Sequence, residues 1–426
     1  MKIVEMRVTP VATVDPPLLN IGGMHAPYAL RTIVELVTDN GISGVGEIPG
    51  GQEVTACLDA ARETVVGTDP FHINALRHSI EQRFGQLQRE GDMPWHMPPF
   101  VLVFSAIEVA CYDIVGKACD RPVVDLLGGP ARERVGFSAY LFYKPEGAGG
   151  EFGLGVDPGA QGWEAARQAE ALDPDSVVCQ AQAMRNHFGF RSIKLKGGVM
   201  EPQHEVEAML ALRERFGPSV PLRLDPNAAW SLETSVEYGK KLEGILEYLE
   251  DPCGGQQNMA KLRRTLKLPL ATNMCTTSFD HLPQSITLHS EDIILADHHF
   301  WGGLKASVEL GRICATFGRA LSMHSNSHLG ISLAAMTHLA AAVPVLTYDV
   351  DTHYPWQSDE LIVGGRFQFE DGMLPPPRGP GLGVELDHAA LERLHQNYRR
   401  CGLTRRDDQT EMQKLKPGWT YKSPRW

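Results

Sequence analysis

The chain has 426 residues, 43% hydrophobic and 22% charged, with a net charge of −12. That length allows more than one domain and a sizeable core, and that charge argues against a nucleic-acid binder, though a local cationic site can still take a small anion. No run of about 18 apolar residues marks a membrane span, residues 1–6 lack the blocks of a signal peptide, and eight cysteines without a CxxC pair suit reduced thiols in a cytoplasmic protein, not disulfides or zinc.

Residues 2–13 alternate apolar and polar, and so do residues 32–38. The second run meets Asp39-Asn40-Gly41, a hairpin signal, and resumes through Gly44-Val45-Gly46-Glu47. An antiparallel meander is predicted. Between the runs lies a Gly-rich loop, 21–27, carrying His25. A loop histidine is more often a surface residue than a ligand, but such loops also carry specificity. Residues 55–127 turn helical, with Leu102, Ala106, Val109, Ala110 and Ile114 on one stripe. Leu127-Gly128-Gly129-Pro130 reads as a C-cap and a boundary, so residues 1–130 form one α+β domain.

Short apolar strands then recur near 136–143, 192–196, 221–225, 246–250, 269–273, 293–297, 320–324 and 345–349, with helical stretches between them. The pattern fits a closed α/β barrel or a doubly wound sheet. The strand count and the residues that end the strands favour the barrel, over residues 131–375. Residues 146–162 are a Gly-rich loop. The tail, 376–426, opens in a Pro-rich connector, has one helix over 388–400, and is expected to return to the first domain.

The strand ends carry the chemistry. In Lys194-Leu195-Lys196-Gly197-Gly198 the two lysines share a face about 7 Å apart, a spacing set by strand rise. A packed core would not choose them; the plain alternative is a solvated edge strand. The next strands end in Asp225, Glu250, Asn273, Asp297 and His324, and Asp351 and His353 follow the eighth. A carboxylate after a strand is usually a helix N-cap, but consecutive polar strand ends in a barrel converge on one mouth. Asp225, Glu250 and Asn273 are hard oxygen donors on adjacent strands, suited to Mg²⁺. Lys194, Lys196 and His324 flank them, and Asp297 is placed to hold the imidazole in one tautomer. That set suits proton removal next to a carboxylate. Lys196 must then be partly neutral, and Lys194 and the metal charge are expected to lower its pKa.

The sequence resembles the enolase superfamily, and within it the glucarate dehydratase family. The resemblance rests on Gly44-Val45-Gly46-Glu47, Tyr140-Leu141-Phe142-Tyr143, Lys194-Leu195-Lys196-Gly197-Gly198, Leu224-Asp225-Pro226-Asn227, Glu250-Asp251-Pro252, Ala271-Thr272-Asn273, Ala296-Asp297-His298-His299-Phe300-Trp301, His324-Ser325-Asn326 and Asp351-Thr352-His353. It implies a (β/α)7β modified TIM barrel under a capping domain built from both chain ends, and a homodimer or higher homo-oligomer. It implies Mg²⁺ on Asp225, Glu250 and Asn273, with Lys196 as one acid/base and His324, paired with Asp297, as the other. Lys194 would face the substrate carboxylate. His25, Ser105, Tyr140, Asn227, Ser325, His353 and Arg406 would contact an acid-sugar dianion. The implied reaction is dehydration of a hexarate, D-glucarate or L-idarate. Alternatives are a dehydratase or epimerase of another acid sugar and a silent acid-sugar-binding paralogue. There are three departures from the family. Ser105 stands where Thr is common and keeps the hydroxyl, the Gly-rich segment 146–162 differs from the usual loop, and Ser327-His328-Leu329-Gly330 replaces the usual Asn-His-Phe-Asp, which bears on substrate.

Overall fold

The predicted meander is an antiparallel sheet of Ile3–Val14, Tyr28–Thr38 and Ser43–Pro49, in that order, in a computed structural model that describes residues 1–87 and 97–426. Part of the predicted helical stretch, 88–96, lies outside the described residues. The hairpin forms where Asp39-Asn40-Gly41 places it: Gly41 has φ 83°, and Thr38 N donates to Ile42 O at 2.9 Å.

Helix Pro99–Cys119 packs on this sheet. It buries the predicted stripe and also Val103, Phe104, Ile107 and Glu108. The stripe is wider than its periodicity implied because the helix lies between the sheet and the barrel and is buried over most of its surface, with only Ala118 and Cys119 exposed at its end. By length and composition it could cross a membrane, but 83% of its most apolar window is buried in the fold. Its acids are engaged: Glu108 accepts from Leu304 N at 2.6 Å and Lys305 N at 3.0 Å, and Asp113 from Val45 N at 3.1 Å and Leu382 N at 2.8 Å. The Gly-Val-Gly pattern has a steric cause. A Cβ on Gly46 would lie 2.1 Å from the Ala106 carbonyl oxygen, and one on Gly44 2.2 Å from that of Ala110.

Eight parallel strands form the barrel: Val135–Phe142, Ser192–Lys196, Leu222–Asp225, Tyr248–Glu250, Leu270–Thr272, Ile293–Ala296, Ala320–Met323 and Val350–Asp351. A helix follows each of the first seven, giving the (β/α)7β order. The eighth strand lies later than the predicted 345–349. Its segment crosses from the seventh strand, bridged at Leu321–Leu346, to the first, paired at Val350–Phe137. Asp351 therefore belongs to the strand and not to the loop after it.

In the tail, helix His388–Cys401 packs on Ile3–Val14, and Gln52 N donates to Thr404 O at 2.7 Å. The return to the first strands is as expected, but the last residues diverge from it. Arg425 N and Trp426 N donate to Ala229 O at 2.7 and 2.9 Å, and Ser231 N to Trp426 O at 2.6 Å. These bonds brace the loop after the third barrel strand.

Candidate active site

A cavity opens at the barrel mouth, and of the strand-end residues Phe142, Lys196 and His324 line it. Asp15, Asn20, His25 and Arg31 line it from the N-terminal segment, Phe142, Lys196, Asn227, Phe300, His324, Ser325, Asn326, Ser327 and His353 from the barrel, and Arg405, Arg406 and Asp408 from the tail.

Lys194 and Lys196 share a face as their spacing requires, and both are buried, which removes the solvated edge-strand alternative. Carboxylates offset the cost. Lys194 Nζ donates to Glu250 Oε2 and Asp351 Oδ2, each at 2.6 Å, and lies 3.5 Å from Asp225 Oδ2. Lys196 Nζ donates to Asp225 Oδ2 at 2.8 Å. Lys194 thus sits below the cavity, engaged on three carboxylates, and the structure does not bring it to the wall where a substrate contact was expected. Lys196, 8% exposed, is on the wall. The Tyr140 ring centroid lies 4.9 Å from the Lys194 ammonium and 5.8 Å from that of Lys196. The Tyr140 hydroxyl has no hydrogen-bond partner among the described residues, and burial pushes it up to about 12.

Asp225 Oδ1 accepts from Asn227 N at 3.1 Å and also from the Asn227 side-chain amide. Asn227 and Ala228 are both left-handed, φ 53° and 59°; asparagine tolerates this region, whereas alanine is strained in it. The turn that carries the strained Ala228 is thus pinned through Asn227 to a strand-end carboxylate.

Across the mouth, Asp297 Oδ2 accepts from His324 Nδ1 at 3.1 Å and Asn326 Nδ2 at 3.0 Å. The expected pairing is thus in contact, and it leaves His324 Nε2 for the cavity. Burial pushes the His324 imidazole down, more than Asp297 raises it. Burial alone would raise Asp297, but His299 and His324 hold it well below the usual carboxylate range.

Over the mouth, His25 Nδ1 donates to Asp15 Oδ2 at 2.9 Å, which leaves Nε2 to accept from Arg406 Nη2 at 3.0 Å. Arg406 also grips Asp408, with Nε 2.8 Å from Oδ1. Ser325 Oγ accepts from His353 N at 2.9 Å. Ser105 is not brought to the cavity: its hydroxyl donates to His298 O at 2.7 Å. Of the departing residues 327–330, Ser327 lines the cavity. Leu329 is buried with its N–H on Glu47, and His328 is buried near the Tyr354 ring.

The third, fourth and fifth strand ends carry the oxygen donors. Glu250 Oε1 and Asn273 Oδ1 are buried without a hydrogen-bond partner among the described residues. Burial and the Asp225 charge push Glu250 well up, while Lys196 and Lys194 hold Asp225 down against its own burial. Two orphaned oxygens and an excess of buried carboxylates fit a hard cation. Burial is the largest single influence on Lys196 and lowers it, but Asp225, Tyr140 and Glu250 together outweigh it and the net direction is up, opposite to the lowering expected from Lys194. The reason is contact: the carboxylate is the nearer charge.

Several partners escape the sequence. Asp351 is the second carboxylate on Lys194, Asp15 orients His25, and Asp408 orients Arg406. Arg31 Nε donates to Glu47 Oε1 and its Nη1 to Asn326 Oδ1, both at 2.8 Å. Alternation in residues 32–38 and the Gly-Val-Gly-Glu run mark those strands but not the inward turn of their charges.

Residues 3–128 match the family described as the mandelate racemase / muconate lactonizing enzyme N-terminal domain, and residues 176–390 match the enolase C-terminal domain-like family. A probable glucarate dehydratase of Streptomyces coelicolor is 42% identical over 442 aligned residues, covering 100% of this chain and 99% of that one. An enolase from Thermobispora bispora, complexed with magnesium and formate, has a TM-score of 0.92 at 48% identity and full coverage of both chains. An enolase from Pseudomonas fluorescens with bound magnesium, potassium and tartrate has a TM-score of 0.92 at 44% identity, covering 100% of this chain and 99% of its own.

If the orphaned oxygens close on a cation, Mg²⁺ should stabilise the fold by about 2.7 kcal/mol at a free concentration one hundred times Kd. Thermal unfolding with and without MgCl₂ reads this. Asn273→Ala should lose most of the gain; an equal gain in wild type and variant would remove Asn273 from the site.

Proposed function

We propose, from the premise that this chain belongs to the enolase superfamily and is a glucarate dehydratase-like hydro-lyase, that it is a Mg²⁺-dependent dehydratase of a hexarate, D-glucarate or L-idarate, giving a 5-dehydro-4-deoxyglucarate-type keto acid. One observation carries the reading: Lys196, Arg406 and His324, the last held from behind by Asp297, belong to a single cavity. The tartrate in the Pseudomonas fluorescens neighbour, a short hydroxy-diacid, supports a diacid ligand.

A magnesium ion held by Asp225, Glu250 and Asn273 would supply positive charge for the negative charge that develops on a substrate carboxylate. The chain's own groups do the rest. Lys196, once it has lost its proton, takes the α-proton of one configuration; His324 Nε2 faces the other. The C–H electron pair first moves into the adjacent substrate carboxylate as an enediolate, a reversible step, and then forms the new C=C bond as the β C–O bond breaks. Protonated His324 gives its proton to the departing hydroxyl, which leaves as water, and Asp297 stabilises the imidazolium beforehand. The enol product then tautomerises to the keto acid. Arg406, oriented by Asp408 and His25, takes the distal carboxylate. Lys194 keeps the carboxylates together beneath the reacting carbon. Ser327 on the wall favours a second reading, the same chemistry on another acid sugar. The complete acid/base set argues against a silent paralogue.

A keto-acid assay across a panel of acid sugars tests the reading. D-Glucarate or L-idarate should be turned over with Mg²⁺ and not in excess EDTA. Full turnover in EDTA, or turnover of neither hexarate, would sink it. A bidentate arginine–carboxylate contact is worth roughly 1.5–3 kcal/mol, so Arg406→Ala should slow diacid turnover about ten- to a hundred-fold and a mono-acid analogue much less. Equal loss on both would assign Arg406 to holding Asp408 and the tail.

A further inference from the structure

Asp297 serves two histidines. Its Oδ2 takes His324 and Asn326. Its Oδ1 accepts from His299 N at 2.9 Å and faces His299 Nδ1 at 2.6 Å, a shorter contact than the one to His324. A carboxylate has about four lone-pair sites, and all four are used. A carboxylate only accepts, so His299 Nδ1 carries the proton. On the far side of the ring, Nε2 lies 2.8 Å from Ser332 Oγ. Ser332 Oγ accepts from Arg31 Nη2 at 3.3 Å, and His299 Nε2 is the acceptor among its described partners, so the hydroxyl donates to the ring. Arg31 Nη2 lies 3.5 Å from the same nitrogen.

We propose that His299 is a positioning residue for His324: a neutral imidazole that donates from Nδ1 to Asp297, accepts at Nε2 from Ser332, and fixes the carboxylate whose other oxygen orients and charges His324. The assignment rests on the dehydratase reading only for what His324 does, not for how it is held. His328 faces His299, and His353 faces His324. Asp297 and His298 flank His299, whose ring centroid is 3.8 Å from that of His298; Arg31, backed by Glu47, approaches from the N-terminal sheet. His324 faces Asp297, Lys196 and Lys194, with the Phe300 ring alongside.

The two amides separate the two ends of the ring. In His299→Asn the amide N–H falls where Nδ1–H was and keeps the Asp297 bond. In His299→Gln it lies farther out, toward Ser332, and Asp297 Oδ1 loses its side-chain donor. More of the carboxylate charge is then left for His324. The full chain, labelled at histidine with ¹³C and ¹⁵N and held in MgCl₂, is titrated by NMR, with His324 assigned by its loss in His324→Asn. His299→Asn should leave the proton affinity of His324 within about twofold, and His299→Gln should raise it about tenfold, the size expected for one lost charge-assisted bond. Equal shifts in both, or none in either, overturn the proposal. Should either variant fail to fold, wild type decides alone: the ¹⁵N shifts of His299 should be those of a neutral ring protonated at Nδ1, and an imidazolium or an Nε2–H ring overturns it. Neither readout needs turnover. Absence of keto acid with these shifts intact would fault the dehydratase reading, whereas keto acid formed without them would fault His299.

Discussion

The contact of Lys194 with Glu250, Asp351 and Asp225 holds the barrel mouth together. Four strands meet there, the second, third, fourth and eighth, each bringing a charge that burial would penalise by several kcal/mol alone. None of these side chains is tolerable without the others: removing the ammonium leaves carboxylates facing one another, and removing a carboxylate leaves a buried ammonium short of an acceptor. This constraint fixes where Asp225 points, and Asp225 in turn sets Lys196 and Asn227. Glu250 Oε1 and Asn273 Oδ1 nearby find no donor among the described residues. A floor rich in acid with two unsatisfied oxygens fits a hard cation.

The opposite side of the mouth is held from outside the barrel. Glu47, on the N-terminal sheet, accepts from Leu329 N and Ser332 N and so occupies the start of helix Gly330–Ala342. It also pairs with Arg31, which reaches Asn326, which donates to Asp297, which holds His324. A buried ion pair of this kind is a poor source of stability, but breaking one typically costs about 3–5 kcal/mol. It therefore serves better to fix how the sheet docks. The close approach of Gly44 and Gly46 to helix Pro99–Cys119 serves the same docking. Lys196 is thus set by the barrel's own charges, and His324 by a chain of bonds that begins in the cap.

The sequence carried the architecture because periodicity and strand ends are local properties. Alternation and Asp39-Asn40-Gly41 specified the meander, and the polar residue closing each of several strands specified a barrel with one mouth. The eighth strand was misplaced because its residues touch two neighbours at different points, which no pattern within the segment records. The oxygen triplet and the His324–Asp297 pair were legible as residue types at strand ends. Their partners were not. Asp351 on Lys194, Asp15 on His25 and Asp408 on Arg406 are contacts across the fold, and His299 looks in sequence like one more residue of the strand-end run. Ser105 was drawn to the cavity by resemblance, but its hydroxyl finds a nearer acceptor in the His298 carbonyl.

The account stands on Lys196 and His324 as two bases on opposite sides of one α-carbon. The most direct measurement is deuterium exchange at that carbon of D-glucarate, by NMR in D₂O, with His324→Asn and Lys196→Ala, both folded and metal-loaded. His324→Asn should fail to dehydrate D-glucarate yet still exchange its α-proton, because Lys196 is intact and only the acid for the leaving hydroxyl is gone. Lys196→Ala should lose that exchange. If His324→Asn loses it as completely as Lys196→Ala does, the two residues do not act from separate faces and the account is wrong.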